Sequence, residues 1–247
     1  MKSKIYGLLL ASLMIVTLCP LSVSAKSVNN KAKTVTASQT NDVITVSKNV
    51  KVNSTFSSPK ALGIKKAKLK RLYNIVSDNT KVATVTAAGT VKGIKKGATT
   101  ITLTSKADGS VYAKINVNVK NRYNKQQLRL MSAIIYAEAG SECYAGKKAV
   151  GIVIMNRVRS KDFPGTLKKV IYQPGQFGPV RNGSLKKALK LYDEGRLNKK
   201  CIKAAKATLN GDRVVTYKNV KTDMSSYLFF SGYVSGMRLQ IQGHQFK

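Results

Sequence analysis

The spacing of apolar residues changes once along this chain, near residue 121, and that change restricts the architecture more than any other feature. Between residues 33 and 120 short runs alternate apolar and polar side chains: VITVSKNVKV, KVATVT, TVKGI, TTITLTS and VYAKINVNV. Successive side chains of a strand point to opposite faces, so this alternation marks strands buried on one side. In KINVNVK, Ile115, Val117 and Val119 share one face while Asn116 and Asn118 share the other. Gly89, Gly93, Gly97 and Asp108-Gly109 punctuate the runs as turns, at the short spacing of a β-sandwich. After the polar stretch NRYNKQQ (121–127) the period becomes three and four, with Leu128, Met131, Ile134 or Ile135, and Glu138 on one helical face. Gly140-Ser141 breaks that helix, and Ser141 is expected to cap a second one running to about Val158. Two lysine-rich helices are expected over 184–194 and 199–209. The fold class expected is therefore two domains: an all-β sandwich over 33–120, a linker at 121–127, and a mainly α domain over 128–247.

The amino terminus reads as a signal peptide over residues 1–25. Lys2 and Lys4 supply the positive start, Leu8 to Leu18 the apolar stretch, and Ser22-Val23-Ser24-Ala25 a small-residue cleavage site. That stretch is shorter than the roughly 20 residues a membrane span needs, and nothing after residue 25 is long and apolar enough, so no membrane span is expected. With 44 Lys and Arg against 10 Asp and Glu, the formal net charge is +34. So large a charge points to a polyanionic partner, and export directs the choice to anionic wall polymers rather than specific nucleic acid. The bland account of the same lysines is solubility.

Scarce residues exclude much chemistry. The one histidine is His244, and beyond the signal the cysteines are Cys143 and Cys201. A zinc enzyme needs several His or Cys ligands at one site, so no metal and no cofactor is expected. A Ser-His-Asp triad would have to use His244, and no G-x-S-x-G elbow is present. Cys143 and Cys201 stand open between a bridge and free thiols. A Cys-His peptidase built from Cys143 and His244 lacks the surrounding sequence of such enzymes.

Residues 77–119, SDNTKVATVTAAGTVKGIKKGATTITLTSKADGSVYAKINVNV, resemble a bacterial immunoglobulin-like domain of group 2. Ser77, Asn79, Val82–Val85, Gly89, Val91, Gly97, Ile101 and Thr102 fit its pattern in order. The resemblance implies an Ig-like sandwich serving as spacer or adhesive module. Its acids, Asp42, Asp78 and Asp108, form no catalytic or calcium-binding set.

Glu138 is the acid of most interest. Its helical position aligns it with Met131 and Ile134/Ile135, and a carboxyl among apolar side chains keeps its proton to higher pH. A protonated carboxylic acid near neutral pH can donate to a leaving-group oxygen. From the residues alone, a glutamate at a helix end pairing with one of the many lysines is the favoured account.

The run YAEAGSECYAGKKAVGIVIMNRVRSKDFPGTLKKVIYQPGQF (136–177) resembles the cell-wall hydrolase family that includes spore-cortex-lytic enzymes of the SleB type. Tyr136, Glu138, Ala139, Glu142, Gly146, Ala149, Val150, Val153, Asn156 and Arg157 fit the first half of its pattern. Phe163, Pro164, Thr166, Val170, Ile171, Tyr172, Gln173, Gln176 and Phe177 fit the second. YLFF (227–230) and Gly243-His244 with Phe246 resemble its closing strands. One departure is Gly140-Ser141, where the family often has Arg-Gly. The resemblance implies a lysozyme-like (α+β) fold and Glu138 as catalytic acid. It implies cleavage of peptidoglycan glycan strands, as a lytic transglycosylase, in the wall or spore cortex. Gln176, Phe177, Tyr227 and Phe229 are the expected substrate-binding residues. Glu142 is read as structural, turned away from Glu138 by the Gly140 break. A hydrolytic muramidase, or a non-catalytic adhesin with a degenerate domain, stand as alternatives.

Overall fold

The computed structural model describes residues 42–247. Residues 1–25, expected to be a signal peptide, and the first residues of the β half lie outside the described residues.

The amino-terminal half runs β1 (Ile44–Lys51), β2 (Thr55–Ser57), α1 (Ser58–Ala61), α2 (Lys66–Leu72), β3 (Tyr73–Ser77), β4 (Ala83–Val85), β5 (Thr90–Gly93), β6 (Gly97–Ser105) and β7 (Val111–Lys120). Two sheets form, in the orders β1-β7-β6-β3 and β2-β5-β4. The alternation in β7 reads out directly: Ile115, Val117 and Val119 are buried and their neighbours exposed. They meet Ile101, Leu103, Val91 and Ala83 in one core. Each such aliphatic side chain contributes about 2 kcal/mol by leaving water. β1 lies parallel to β7, Ile44 opposite Ala113 through Lys51 opposite Lys120.

This half is not all β. The helices α1 and α2 fall between β2 and β3, and Leu69 of α2 is fully buried in the sandwich core. KAKLKRL is made of strong helix formers, but one buried leucine in seven residues leaves no period to read. Ser57 caps α1 by accepting from Lys60 N–H, with Pro59 in its first turn.

The second half has its own core. It runs α3 (Lys125–Ala139), α4 (Tyr144–Arg159), α5 (Leu167–Ile171), α6 (Gly178–Arg181), α7 (Ser184–Asp193) and α8 (Lys199–Leu209). The strands β8 (Val214–Tyr217), β9 (Val220–Asp223), β10 (Phe230–Ser231), β11 (Leu239–Ile241) and β12 (His244–Phe246) follow. Helix α3 starts at Lys125, ahead of the first periodic apolar residue, because Asn124 and Gln127 form a capping box. Gln127 N–H donates to Asn124 Oδ1 at 2.8 Å, and Asn124 N–H to Gln127 Oε1 at 2.9 Å. Cys143, not Ser141, occupies the N-cap of α4. α4 runs through the centre of the fold, and Gly151 permits its close approach to α3 and α8. A Cβ there would lie 2.9 Å from both Ile135 Cδ1 and Thr208 Oγ1. The hairpin β8–β9 turns on Lys218-Asn219, both at positive φ, and β10-β12-β11 form a small terminal sheet.

Candidate active site

Glu138 sits in the last turn of α3, half-buried, one residue before the fully packed Ala139. Loss of hydration pushes its carboxyl up to about 7, against the opposing pull of Arg157. Arg157 projects from the last turns of α4 and is 5% exposed. Burial pushes its guanidinium below the usual value, and the attraction of Glu138 acts in the opposite sense. No ion pair within 4 Å joins the two among the described residues. Burial therefore outweighs attraction at Glu138, and the acid holds its proton near neutral pH.

Arg157 is held by other groups. Its Nε donates to Leu228 O at 2.7 Å and its Nη1 to Gln176 Oε1 at 2.9 Å. Three rings surround the guanidinium: Phe163 at 5.1 Å, Phe177 at 5.5 Å and Phe229 at 5.6 Å. Such rings attract a cation through their electron-rich faces. Next to it, Asn156 Nδ2 donates to Met224 O at 2.6 Å and Tyr227 O at 2.9 Å. The two adjacent polar residues of α4 thus anchor the aromatic segment 227–230 to the end of that helix.

The four residues expected to bind substrate divide by position. Gln176 is exposed and oriented by Arg157. Phe229 is 46% exposed, with its ring 6.2 Å from Phe163. Phe177 is only 2% exposed and packs 6.3 Å from Phe230. Tyr227, 7% exposed, carries Arg238 4.1 Å over its ring. Phe177 and Tyr227 are core residues that support Arg157 and the terminal sheet, because the aromatic segment folds inward beneath α4.

Sequence reasoning assigned Arg157 no role, although charge at the end of an apolar helical face was a signal for it. It also missed the partners of Glu142. That side chain is 9% exposed, and its Oε1 accepts from Gly243 N–H at 3.3 Å and lies 3.3 Å from His244 Nδ1. The histidine approach is within ion-pair range but off hydrogen-bond geometry, which leaves Nδ1 without a hydrogen-bond partner, as is Glu142 Oε2. A Cβ at Gly146 would lie 2.9 Å from Oε2 and 3.0 Å from Cβ of Glu142, so glycine lets the carboxylate keep this position without a shift. Gln242 Oε1 accepts from Cys143 N–H, and Lys147 Nζ donates to Glu142 O. The β11–β12 turn is in this way tied to the corner between α3 and α4.

The thiols stand apart. Cys143 and Cys201 are both free. Burial pushes the Cys201 thiol up to about 11, so it stays protonated. His244 faces Glu142 and the rings of Phe230 and Phe246, and no hydrogen bond joins it to Cys143. Among the described residues no three His, Cys, Asp or Glu side chains gather as metal ligands would, and no helix is long and apolar enough to cross a membrane.

Residues 141–246 match the family model for Cell Wall Hydrolase, and residues 65–115 match that for the Bacterial Ig-like domain (group 2). Glu138 stands just ahead of the first matched range. The chain is thus similar to a cell-wall-hydrolase domain over its second half and to a group 2 Ig-like domain ahead of it. Curated proteins similar to it include spore cortex-lytic enzymes. That of Bacillus cereus is 41% identical over 68 residues, covering 28% of this chain and 26% of the relative. That of Oceanobacillus iheyensis is 40% identical over 70 residues, covering 28% and 25%. The match spans about a quarter of the length of these relatives. Among solved structures, the catalytic domain of the germination-specific lytic transglycosylase SleB from Bacillus anthracis is similar at 26% identity. Its TM-score is 0.39, over 50% of this chain and 95% of that one.

Proposed function

We propose that this protein is a secreted lytic transglycosylase that cleaves peptidoglycan glycan strands of the cell wall or spore cortex, on a lysozyme-like domain with Glu138 as its acid and base. The observation that carries this reading is a half-buried carboxyl raised to about 7. Its charged neighbour Arg157 orients the exposed amide of Gln176 and lies 5.6 Å from the exposed ring of Phe229, groups suited to meet an N-acetyl group and a sugar face. The similarity to spore cortex-lytic enzymes supports action on the same class of substrate.

Protonated Glu138 donates to the oxygen bridging N-acetylmuramic acid and N-acetylglucosamine, and the anomeric carbon–oxygen bond breaks. The muramic 6-hydroxyl attacks that carbon and gives its proton to the Glu138 carboxylate, which restores the acid. Hydrolysis with a carboxylate nucleophile would need a second acid about 5–5.5 Å away, and with a water-activating base about 6.5–9.5 Å. Glu142 is the acid nearest in sequence, and its Oε1 is held by Gly243 and faced by His244, at the turn between β11 and β12. The substrate's own hydroxyl removes the need for it and has the advantage of a tethered nucleophile. Digestion of purified sacculi, read by mass, should give muropeptides ending in 1,6-anhydromuramic acid, one water lighter than hydrolysis products. Reducing muramic ends that take up heavy oxygen from labelled water would reject the transglycosylase reading.

A further inference from the structure

A groove of about 860 Å³ opens far from Glu138, where the Ig-like half meets the helical half. Five lysines line it: Lys95 and Lys96 from the turn between β5 and β6, Lys120 at the end of β7, Lys125 at the start of α3, and Lys206 on α8. They come from four places in the chain, so the fold and not a local run of sequence gathers them. No Asp or Glu lines the groove, and none of the five makes an ion pair among the described residues. All five are exposed. Unpaired like charges repel, and the arrangement becomes favourable when an anion enters.

The walls are held in place by side chain–backbone hydrogen bonds across the junction. Arg122 Nε donates to Val52 O at 2.7 Å, and Nη2 to Ser54 Oγ at 2.6 Å and Asn53 O at 3.3 Å. Asn53 Nδ2 donates to Asn210 O at 3.1 Å, and Asn210 Oδ1 accepts from Arg122 N–H at 3.1 Å. The Arg122 guanidinium is held by these partners, and every charged group lining the groove is an ammonium. Ammonium groups are point charges without the planar fork that favours paired carboxylate oxygens. They suit a partner with one negative charge per repeat, and the floor of Val52, Ile94, Tyr123 and Leu128 suits the carbon linkers between charges.

We propose that this groove binds a linear phosphodiester polymer, with the five lysines neutralising successive phosphates. It rests on the wall-cleaving reading only for where such a polymer would be met. Lys125 and Glu138 lie at opposite ends of α3, about 20 Å apart at the helical rise. Retention on the polymer and cleavage of the glycan are therefore separate events on one rigid helix.

The test uses the chain without its signal, poly(glycerol phosphate) as probe, and binding at about 50 and 200 mM salt. Five neutralised phosphates predict a loss of roughly 100-fold between those salts. The variant Lys95→Gln/Lys96→Gln/Lys120→Gln/Lys125→Gln/Lys206→Gln should bind at least about tenfold more weakly at the lower salt and lose most of that salt dependence. A control variant, Lys66→Gln/Lys68→Gln/Lys186→Gln/Lys187→Gln/Lys199→Gln, removes the same charge elsewhere and should lose less than about threefold. Both should cleave soluble glycan at the parent rate, so failure of the groove and failure of the enzymatic reading give different results. Equal losses in the two variants overturn the proposal, as does undiminished binding in the groove variant. A tighter grip on single-stranded DNA of matched charge overturns the assignment to a phosphodiester polymer of the wall.

Discussion

Two acids, Asp108 of the sandwich and Glu138 of the helical half, show opposite uses of a carboxyl. In the sandwich, Asp108 is fully exposed, and hydrogen bonds from the Ser110 hydroxyl and backbone N–H hold it below the usual carboxylate range. In the helical half, Glu138 has lost much of its water and is pushed up to about 7. Hydrogen bonds to the charged form stabilise a turn, whereas desolvation stores a proton for use near neutral pH. Both halves have well-formed apolar cores, so core packing does not distinguish spacer from enzyme. The sandwich too buries a polar atom without a partner, Ser58 Oγ, so what distinguishes the halves is an ionisable group: among the described acids only Glu138 is pushed up by desolvation.

Replacing Glu138 tests this contrast with the largest expected effect. Glu138→Gln keeps the shape but removes the transferable proton, and turnover on soluble glycan should fall by about 10³-fold, with circular dichroism unchanged. Folded Glu138 also holds its proton more tightly than the unfolded chain does. Stability of the parent should therefore drop as pH rises from about 4.5 to about 7, and the variant should lack that drop. Ile115→Ala strikes the other half. The cavity it leaves should cost about 3 kcal/mol in chemical denaturation of the sandwich, while glycan cleavage stays at the parent rate. Impaired cleavage in folded protein would show that the sandwich helps build the site.

A smaller effect is expected at Arg157. Its positive charge opposes the rise of the Glu138 pKa, so Arg157→Gln should move the alkaline limb of the rate profile upward by roughly one unit. Arg157→Lys should restore the limb towards its parent position. A limb unchanged in both would mean that Arg157 only supports Phe163, Phe177 and Phe229. The smallest effect belongs to Cys143→Ala, which should alter turnover by less than about twofold, since the thiol only occupies the N-cap of α4. Abolished activity would revive a thiol mechanism.

Strands and long helices were legible because burial repeats every second residue in β7 and large apolar residues recur every third or fourth position in α3, at Leu128, Met131 and Ile134/Ile135. α2 was not, since Leu69 alone faces the core and its lysines face water. Glu138 could be singled out by its place on an apolar face, but that place also suited a lysine-paired glutamate, and only the packing of α3 against α4 separates the two. Arg157 and the Glu142–His244 approach depend on contacts across 71 and more than 100 positions of chain, and no local period records those. Phe177 and Tyr227 show the same limit. An aromatic near a site can line the cleft or support it, and which occurs depends on how segment 227–230 folds beneath α4.

The central claim is that one carboxyl in this chain keeps its proton near neutral pH because the fold has desolvated it. The chain has three glutamates, Glu138, Glu142 and Glu194, so carbon-13 labelling of glutamate carboxyls gives three resonances to follow against pH. The account predicts one with a midpoint near 7 that is missing from Glu138→Gln. If the Glu138 resonance titrates near 4.5 with no component around neutrality, the acid is ionised when it should donate, and the account is contradicted.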